Sequence, residues 1–276
     1  MSDRGSAMFE NDTVVITGGS SGIGKALALA FLGAGARVTI VGNQPGRLED
    51  ALQEMKAVST KATALQCDVS DLTQVRELVA RQMDVGPPDI LINNAGFATY
   101  TPVEQATSEE IGALVGVNLL GAMYVTREFL PWMIAQRRGR IVNISSVAGR
   151  IVITPNATYC AAKHGMVAWS DALSAELHQF GITVQVVCPG RVETPFFDDP
   201  SFAARPPSRT TNFSVPIEKV TRATMDALAS NRFLTYVPRW FGLAVWMSGL
   251  APATARRVIG RVNRSRIAAL YDRVAQ

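Results

Sequence analysis

The sequence predicts a doubly wound α/β fold: an open parallel sheet with helices on both faces. Three observations carry this. Short β-branched runs alternate with runs of helical length from residue 12 to residue 237. A glycine-rich turn stands directly between the first strand and the first helix. The segments joining successive strands are long enough for right-handed βαβ crossovers. A chain of 276 residues, 47% hydrophobic and 18% charged, has ample material for a buried core.

Taken in order, residues 12–17 (DTVVIT) read as a buried strand that stops at GGSSGIG. KALALAFLGAGA then reads as an Ala/Leu-rich helix ended by glycines, and residues 37–41 (RVTIV) as a second strand. A helix over 47–58, a strand over 62–67, a helix over 72–83 and a strand over 89–93 (DILIN) follow. A long helical region is expected over 108–136, then a strand over 140–145 (RIVNIS). A helix over 157–180 and a strand over 183–187 (TVQVV) come next. Residues 195–216 (PFFDDPSFAARPPSRTTNFSVP) have no helical period and make a long loop of the kind that often serves as a lid. A helix over 217–229 and a short strand over 233–237 resume the alternation. Residues 1–11 read as a tail and residues 238–276 as an extension beyond the sheet, first apolar, then basic.

Bulk properties exclude several functions. Cys67, Cys160 and Cys188 are scattered, with no CxxC, so neither a disulfide framework nor a zinc site is expected, and a reducing compartment such as the cytoplasm fits. His164 and His178 are the only histidines, and neither has the setting of a triad or a metal centre; no metal is expected. The polar N-terminus MSDRGSAMFEND does not read as a signal peptide. The net charge of +4 is uneven: residues 251–276 carry six arginines against Asp272, so the remainder is slightly acidic. Nucleic-acid binding by the domain body is not indicated.

Two short stretches carry chemistry. Gly18, Gly22 and Gly24 lie between strand and helix, where unpaired N–H groups and the helix dipole favour an anion such as a pyrophosphate. Their G-x-x-x-G-x-G spacing departs from the common dinucleotide fingerprint, and a ligand-free turn is the plainer alternative. YCAAK puts Tyr159 and Lys163 one helical turn apart on one face, where a cation can tune a phenol or merely be a neighbour.

Taken jointly, TGGSSGIG at 17–24, NNAG at 93–96, Asn118, ISS at 144–146, YCAAK at 159–163 and CPGRVETP at 188–195 resemble the short-chain dehydrogenase/reductase family, in its compact single-domain Rossmann-type form, over residues 12–237. The resemblance implies an oxidoreductase that interconverts a ketone and a secondary alcohol with NAD or NADP. It places the catalytic roles on Tyr159, Lys163, Ser146 (thirteen residues before the tyrosine) and Asn118 within GVNLLG. Tyr159 would exchange a proton with the substrate oxygen, Ser146 would hold that oxygen, and Lys163 would grip the nicotinamide ribose. Asn118 would hold a water leading from Lys163 to solvent. A free phenol titrates near 10, so the ammonium and an oxidised nicotinamide are expected to lower the pKa of Tyr159 toward neutrality.

The same resemblance assigns cofactor contacts to Gly18, Ser20, Ser21, Gly22, Ile23 and Gly24 at the phosphates, to Asp68 and Val69 at the adenine, and to Asn94, Ala95 and Gly96 along the cleft. Tyr159 and Lys163 also contact the cofactor, and Pro189, Gly190, Val192 and Thr194 surround the nicotinamide. At the end of the second strand, Gly42 replaces the acid that would bind the ribose hydroxyls and repel a 2′-phosphate. Asn43 follows where NADP-preferring relatives often have Arg, and Arg47 is a possible second reach to the phosphate. The balance favours NADP over NAD.

Substrate choice is expected in residues 97–101, residues 150–156 and the loop after Pro195. Ile151, Val152, Ile153, Phe196, Phe197 and Phe202 suggest a hydrophobic carbonyl or alcohol, such as an acyl chain, a steroid or a retinoid. The family's habit of pairing the long helices that hold Asn118 and Tyr159 implies a homodimer or homotetramer. Residues 240–251 are uncharged, rich in Trp, Leu and Met, and too short to span a bilayer. They are expected to pack on the body or a neighbouring subunit, to cap the cleft, or to make peripheral membrane contact. The alternatives are thus a lipid-directed ketoreductase at a membrane surface and, in another class, a non-catalytic NADP-binding regulator.

Overall fold

Strand β1 (Thr13–Thr17) is buried along its whole length, as a strand with helices above and below must be. Around it the computed structural model, which describes residues 9–204 and 214–274, builds a seven-stranded sheet. The other strands are β2 (Arg37–Gly42), β3 (Ala62–Gln66), β4 (Ile90–Asn93), β5 (Gly139–Ile144), β6 (Ile182–Pro189) and β7 (Leu234–Val237). All pairings are parallel, in the order β3-β2-β1-β4-β5-β6-β7. The chain runs outward from β1 to β3 and then crosses back to lay β4 on the other side of β1. That reversal opens a crevice at the carboxyl ends of β1 and β4, the usual ligand position in such sheets.

Two apolar cores lie on the two sides of the sheet. One takes Leu27 and Phe31 of α1 (Gly22–Gly33), Leu48 and Met55 of α2 (Pro45–Val58), and Val220 and Leu228 of α7 (Ile217–Ser230). The other takes Val75 and Leu78 of α3 (Leu72–Val85), Val125 and Phe129 of α5 (Gly121–Gln136), and Leu173 and Leu177 of α6 (Ala157–Leu177). Helix α3 begins at Asp71, whose carboxylate accepts from the N–H groups of Thr73 and Gln74. A buried polar chain fixes α6 on the sheet: Asn93 donates to Asn143 at 2.8 Å, Asn143 to Ser170 at 2.8 Å, and Ser170 to the Met166 carbonyl at 2.6 Å.

The expected helical region over 108–136 is observed, but it is not uniform. Helix α4 (Ser108–Val115) passes into a π-helical turn, Gly116–Leu120, before α5 begins. The wider turn buries Asn118, whose amide donates to the Leu114 carbonyl at 3.0 Å and to the Phe97 carbonyl at 2.8 Å. The asparagine thus satisfies a carbonyl from its own helix and ties that helix to the loop after β4. Strand β6 runs to Pro189, two residues beyond the expected end.

The loop after β6 holds two short 3-10 turns, Pro195–Phe197 and Pro200–Ala204; its residues 205–213 lie outside the described residues, as do residues 1–8 of the N-terminal tail. The extension forms two helices, α8 (Trp240–Leu250) and α9 (Pro252–Val274).

Candidate active site

A cleft of about 630 Å³ follows the crevice. At one end the turn after β1 needs a left-handed backbone at Gly18 (φ +62°) and Gly22 (φ +51°), which a side chain would oppose. Asn94 stitches this turn to β4: its side-chain amide donates to the carbonyls of Thr17 and Gly18, both at 3.0 Å. Helix α1 starts without a side-chain cap at Ser21, in contrast to α3. Its first N–H groups therefore remain available at the cleft floor, where an anion can take them.

Ser20, Ser21, Gly22 and Ile23 line the cleft beside that helix start, and Asn43, Arg47, Asp68 and Val69 line it beyond β2 and β3. No carboxylate stands at the end of β2, where Gly42 lies against Ser20 and Leu48. The open helix start, the glycine cradle and the room available fit a dinucleotide. Ala95, Gly96, Pro189, Gly190, Val192 and Thr194 complete the wall. Gly24 does not reach it: a Cβ there would lie 2.3 Å from the Gly18 carbonyl oxygen, so this glycine packs the turn from behind.

The four residues assigned to catalysis come together at the other end. Ser146 follows β5 and accepts from the Ala148 N–H at 3.1 Å, which aims its hydroxyl. The Tyr159 hydroxyl stands beside it in the cleft. Lys163 is buried on the same face of α6, with its Nζ 5.8 Å from the Tyr159 ring centre and donating to the Ile144 carbonyl at 3.1 Å. Asn118 lies behind the wall at Gly96: a Cβ on that glycine would sit 2.5 Å from Asn118 Oδ1 and 3.4 Å from Lys163 Nζ. Among the described residues, the buried Asn118 Oδ1 has no hydrogen-bond partner. An unsatisfied carbonyl close to a buried ammonium is a place for a bridging water.

The lowering of the tyrosine pKa, expected from the ammonium and an oxidised nicotinamide together, is not produced by the protein groups alone. Burial pushes the Tyr159 hydroxyl well above 10, and the neighbouring Ser146 offsets only part of this. Desolvation of the charged form is the dominant cause. Burial instead pushes Lys163 down, to about 8. Cys188 lies close to both groups, and burial raises its thiol to about 12, so it stands as a neutral thiol there at neutral pH. Cys188 opens the CPGRVETP motif at the end of β6, but no role at the site is expected of it from the sequence.

Beyond Tyr159 the cleft is aromatic. Phe196 packs on the Tyr159 ring at 5.8 Å, Phe197 on Phe196 at 5.1 Å, Phe202 on Phe197 at 5.1 Å, and Tyr100 on Phe202 at 6.0 Å. Arg191 lies over Phe197 at 4.5 Å while its guanidinium pairs with Glu193 at 2.8 Å. Ile153, Phe196, Phe197 and Phe202 line the cleft as expected, but Ile151 and Val152 do not, and Val152 is about half exposed (49%). Asn156, at the end of the expected 150–156 loop, donates to the Thr99 carbonyl at 2.8 Å and joins two of the loops that flank the cleft. His164 bonds the Cys160 carbonyl at 2.9 Å and stays within its helix.

This geometry is shared with known proteins. Residues 12–201 match the short chain dehydrogenase family. The chain is 40% identical to the ketoacyl reductase HetN of Nostoc sp. over 65% of this chain and 63% of that protein, just under two thirds of its length. It is 31% identical to D-beta-hydroxybutyrate dehydrogenase of Cupriavidus necator over 92% of this chain and 96% of that one. Among solved structures, actinorhodin polyketide ketoreductase with NADPH superposes with a TM-score of 0.75 at 29% identity, covering 86% of this chain and 99% of that one. With the match running from the glycine turn through the YCAAK helix and the full parallel sheet behind it, the chain belongs to the short-chain dehydrogenase family.

Proposed function

We propose that this protein is an NAD(P)-dependent ketoreductase that reduces a hydrophobic carbonyl substrate, with NADPH as the preferred cofactor. One observation carries the reading: Tyr159 and Ser146 stand in a single cleft with the buried Lys163 ammonium and the open end of α1. The relatives named ketoacyl reductase and the NADPH-bound ketoreductase structure support the reaction class. A nicotinamide dinucleotide bound along the cleft supplies the hydride.

The chain's own residues do the rest. Ser146 orients the substrate oxygen, and Tyr159 donates a proton to it. The high pKa of Tyr159 suits a donor: the phenol keeps its proton until an alkoxide-like oxygen develops beside it. Lys163 stabilises the tyrosinate as it forms, and Asn118 Oδ1 holds a water that returns the proton to the lysine side. Gly42, Asn43 and Arg47, with no acid among them, support NADP over NAD. The aromatic run from Phe196 to Tyr100 supports an apolar substrate, such as an acyl chain or a ring system. Leu120 and Trp132, exposed on the long helical run, support pairing into a homodimer or homotetramer. The three free, buried cysteines suit a reducing cytoplasm.

The test is a panel of hydrophobic ketones with NADPH and NADH, followed at the nicotinamide absorbance. Tyr159→Phe should lower kcat by about a thousandfold or more and change cofactor affinity by less than about threefold. A variant that keeps most of its rate on a verified substrate removes the catalytic assignment. A wild-type protein that binds NADPH but turns over nothing in the panel points to the non-catalytic regulator.

A further inference from the structure

Helix α8 has two unlike sides. Its inner side is part of the body: Phe241 packs on Gly190, where a Cβ would lie 2.9 Å from the ring, and Gly242 packs on Tyr236. Its outer side carries Leu243, Trp246, Met247 and Leu250, each more than half exposed, while the Trp240 ring stacks on Phe241 at 4.1 Å. At 3.6 residues per turn these four fall in one stripe about 100° wide, with Phe241 facing away from it. No residue of α8 is charged.

Helix α9 begins two residues later and contributes exposed Arg256, Arg257, Arg261 and Arg264. These lie within a sector of about 140°, and exposed Val258 and Val262 lie outside it, toward the opposite side of the helix. Between Asp226 and Asp272 the chain contains seven arginines and not one acidic residue.

We propose that the outer stripe of α8 and the arginine face of α9 seat this protein on an anionic lipid surface. At 11 residues α8 is too short to cross a bilayer, so it lies in the headgroup plane with Trp246 at the polar boundary. The arginines beside it bond lipid phosphates, which match the planar guanidinium fork. Charge separates this occupant from a second copy of the chain. Two such faces brought together would set arginine against arginine with no nearby acid in the segment to neutralise them. An anionic headgroup layer neutralises them all. The inner side of α8 already caps the wall of the cleft at Gly190, so capping leaves the outer side uncovered.

The docking does not depend on the catalytic reading, and its test needs no substrate. The full chain is sedimented with vesicles of phosphatidylcholine alone and with vesicles enriched in phosphatidylglycerol. It should partition strongly to the second only, and high salt should release it. Arg256→Glu with Arg257→Glu and Arg261→Glu should lower partitioning by about a hundredfold. Trp246→Glu with Leu250→Glu should abolish it. Both variants alter exposed side chains, so urea unfolding should match wild type, and sedimentation velocity should give an unchanged mass. The proposal is overturned if the chain ignores the anionic vesicles or if either variant partitions like wild type. A reduced mass for the Trp246 and Leu250 variant also overturns it, because a second copy then covers the stripe.

Discussion

Lys163 is a buried ammonium with one carbonyl for a partner, and its cost is readable as a pH dependence. Its pKa is near 10.5 when unfolded and about 8 when folded, so above pH 8 the folded chain has released a proton that the unfolded chain still holds. Stability therefore rises with pH through that window and is lost as pH falls through 8. Tyr159 acts in the opposite sense above pH 10, because its folded pKa is raised. Between pH 8 and 10 the lysine governs, and the cofactor-free wild type should gain on the order of 2 kcal/mol relative to Lys163→Met in urea unfolding. An unfolding difference flat across that range would mean that the ammonium is solvated. The sequence showed which residues meet, because YCAAK spacing is helical arithmetic. It could not show the sign of the tyrosine shift, which depends on how burial and neighbouring groups balance in the folded chain.

The elements that aim these residues are less regular than their sequence suggests. GVNLLG continues an apolar helical pattern on both sides, so nothing in its period announced the π turn that buries Asn118. The signal, in retrospect, is a polar residue between glycines in an apolar run, a place where a helix can widen. Gly121 opens α5 directly after that turn and lies against Val69: a Cβ there would fall 2.6 Å from a Val69 methyl. Gly121→Ala should therefore cost about 1–3 kcal/mol in urea unfolding. Because Val69 lines the cleft, the same change should weaken cofactor binding severalfold in a fluorescence titration. Loss of stability without loss of affinity would uncouple α5 from the site. The strands were legible because each is short, β-branched and bounded by turn residues. The end of β6 was not, since a ladder to β7 continues it through Pro189.

At the scale of the whole molecule, the open crevice between the halves of the sheet makes folding and ligand binding one equilibrium. A ligand at a hundred times its Kd adds about 2.7 kcal/mol to the stability of the folded state. At equal concentration NADPH should raise the melting temperature more than NADH, and Arg47→Ala should remove that difference. An equal shift from both cofactors would mean that the end of β2 does not read the 2′-phosphate. The alternation of strand and helix was plain in the sequence, and with it the position of the crevice. The extension was legible only as composition, because an uncharged run beside arginines does not say which side meets the body. Phe241 behind Gly190 decides that, and it has a practical result for anyone shortening the gene. Ending the chain at Pro238, where the sheet stops, would take away the backing of the cleft wall at Gly190 and leave a hollow behind it. A trimmed enzyme of that kind should misplace its cofactor, even though every motif residue is still present.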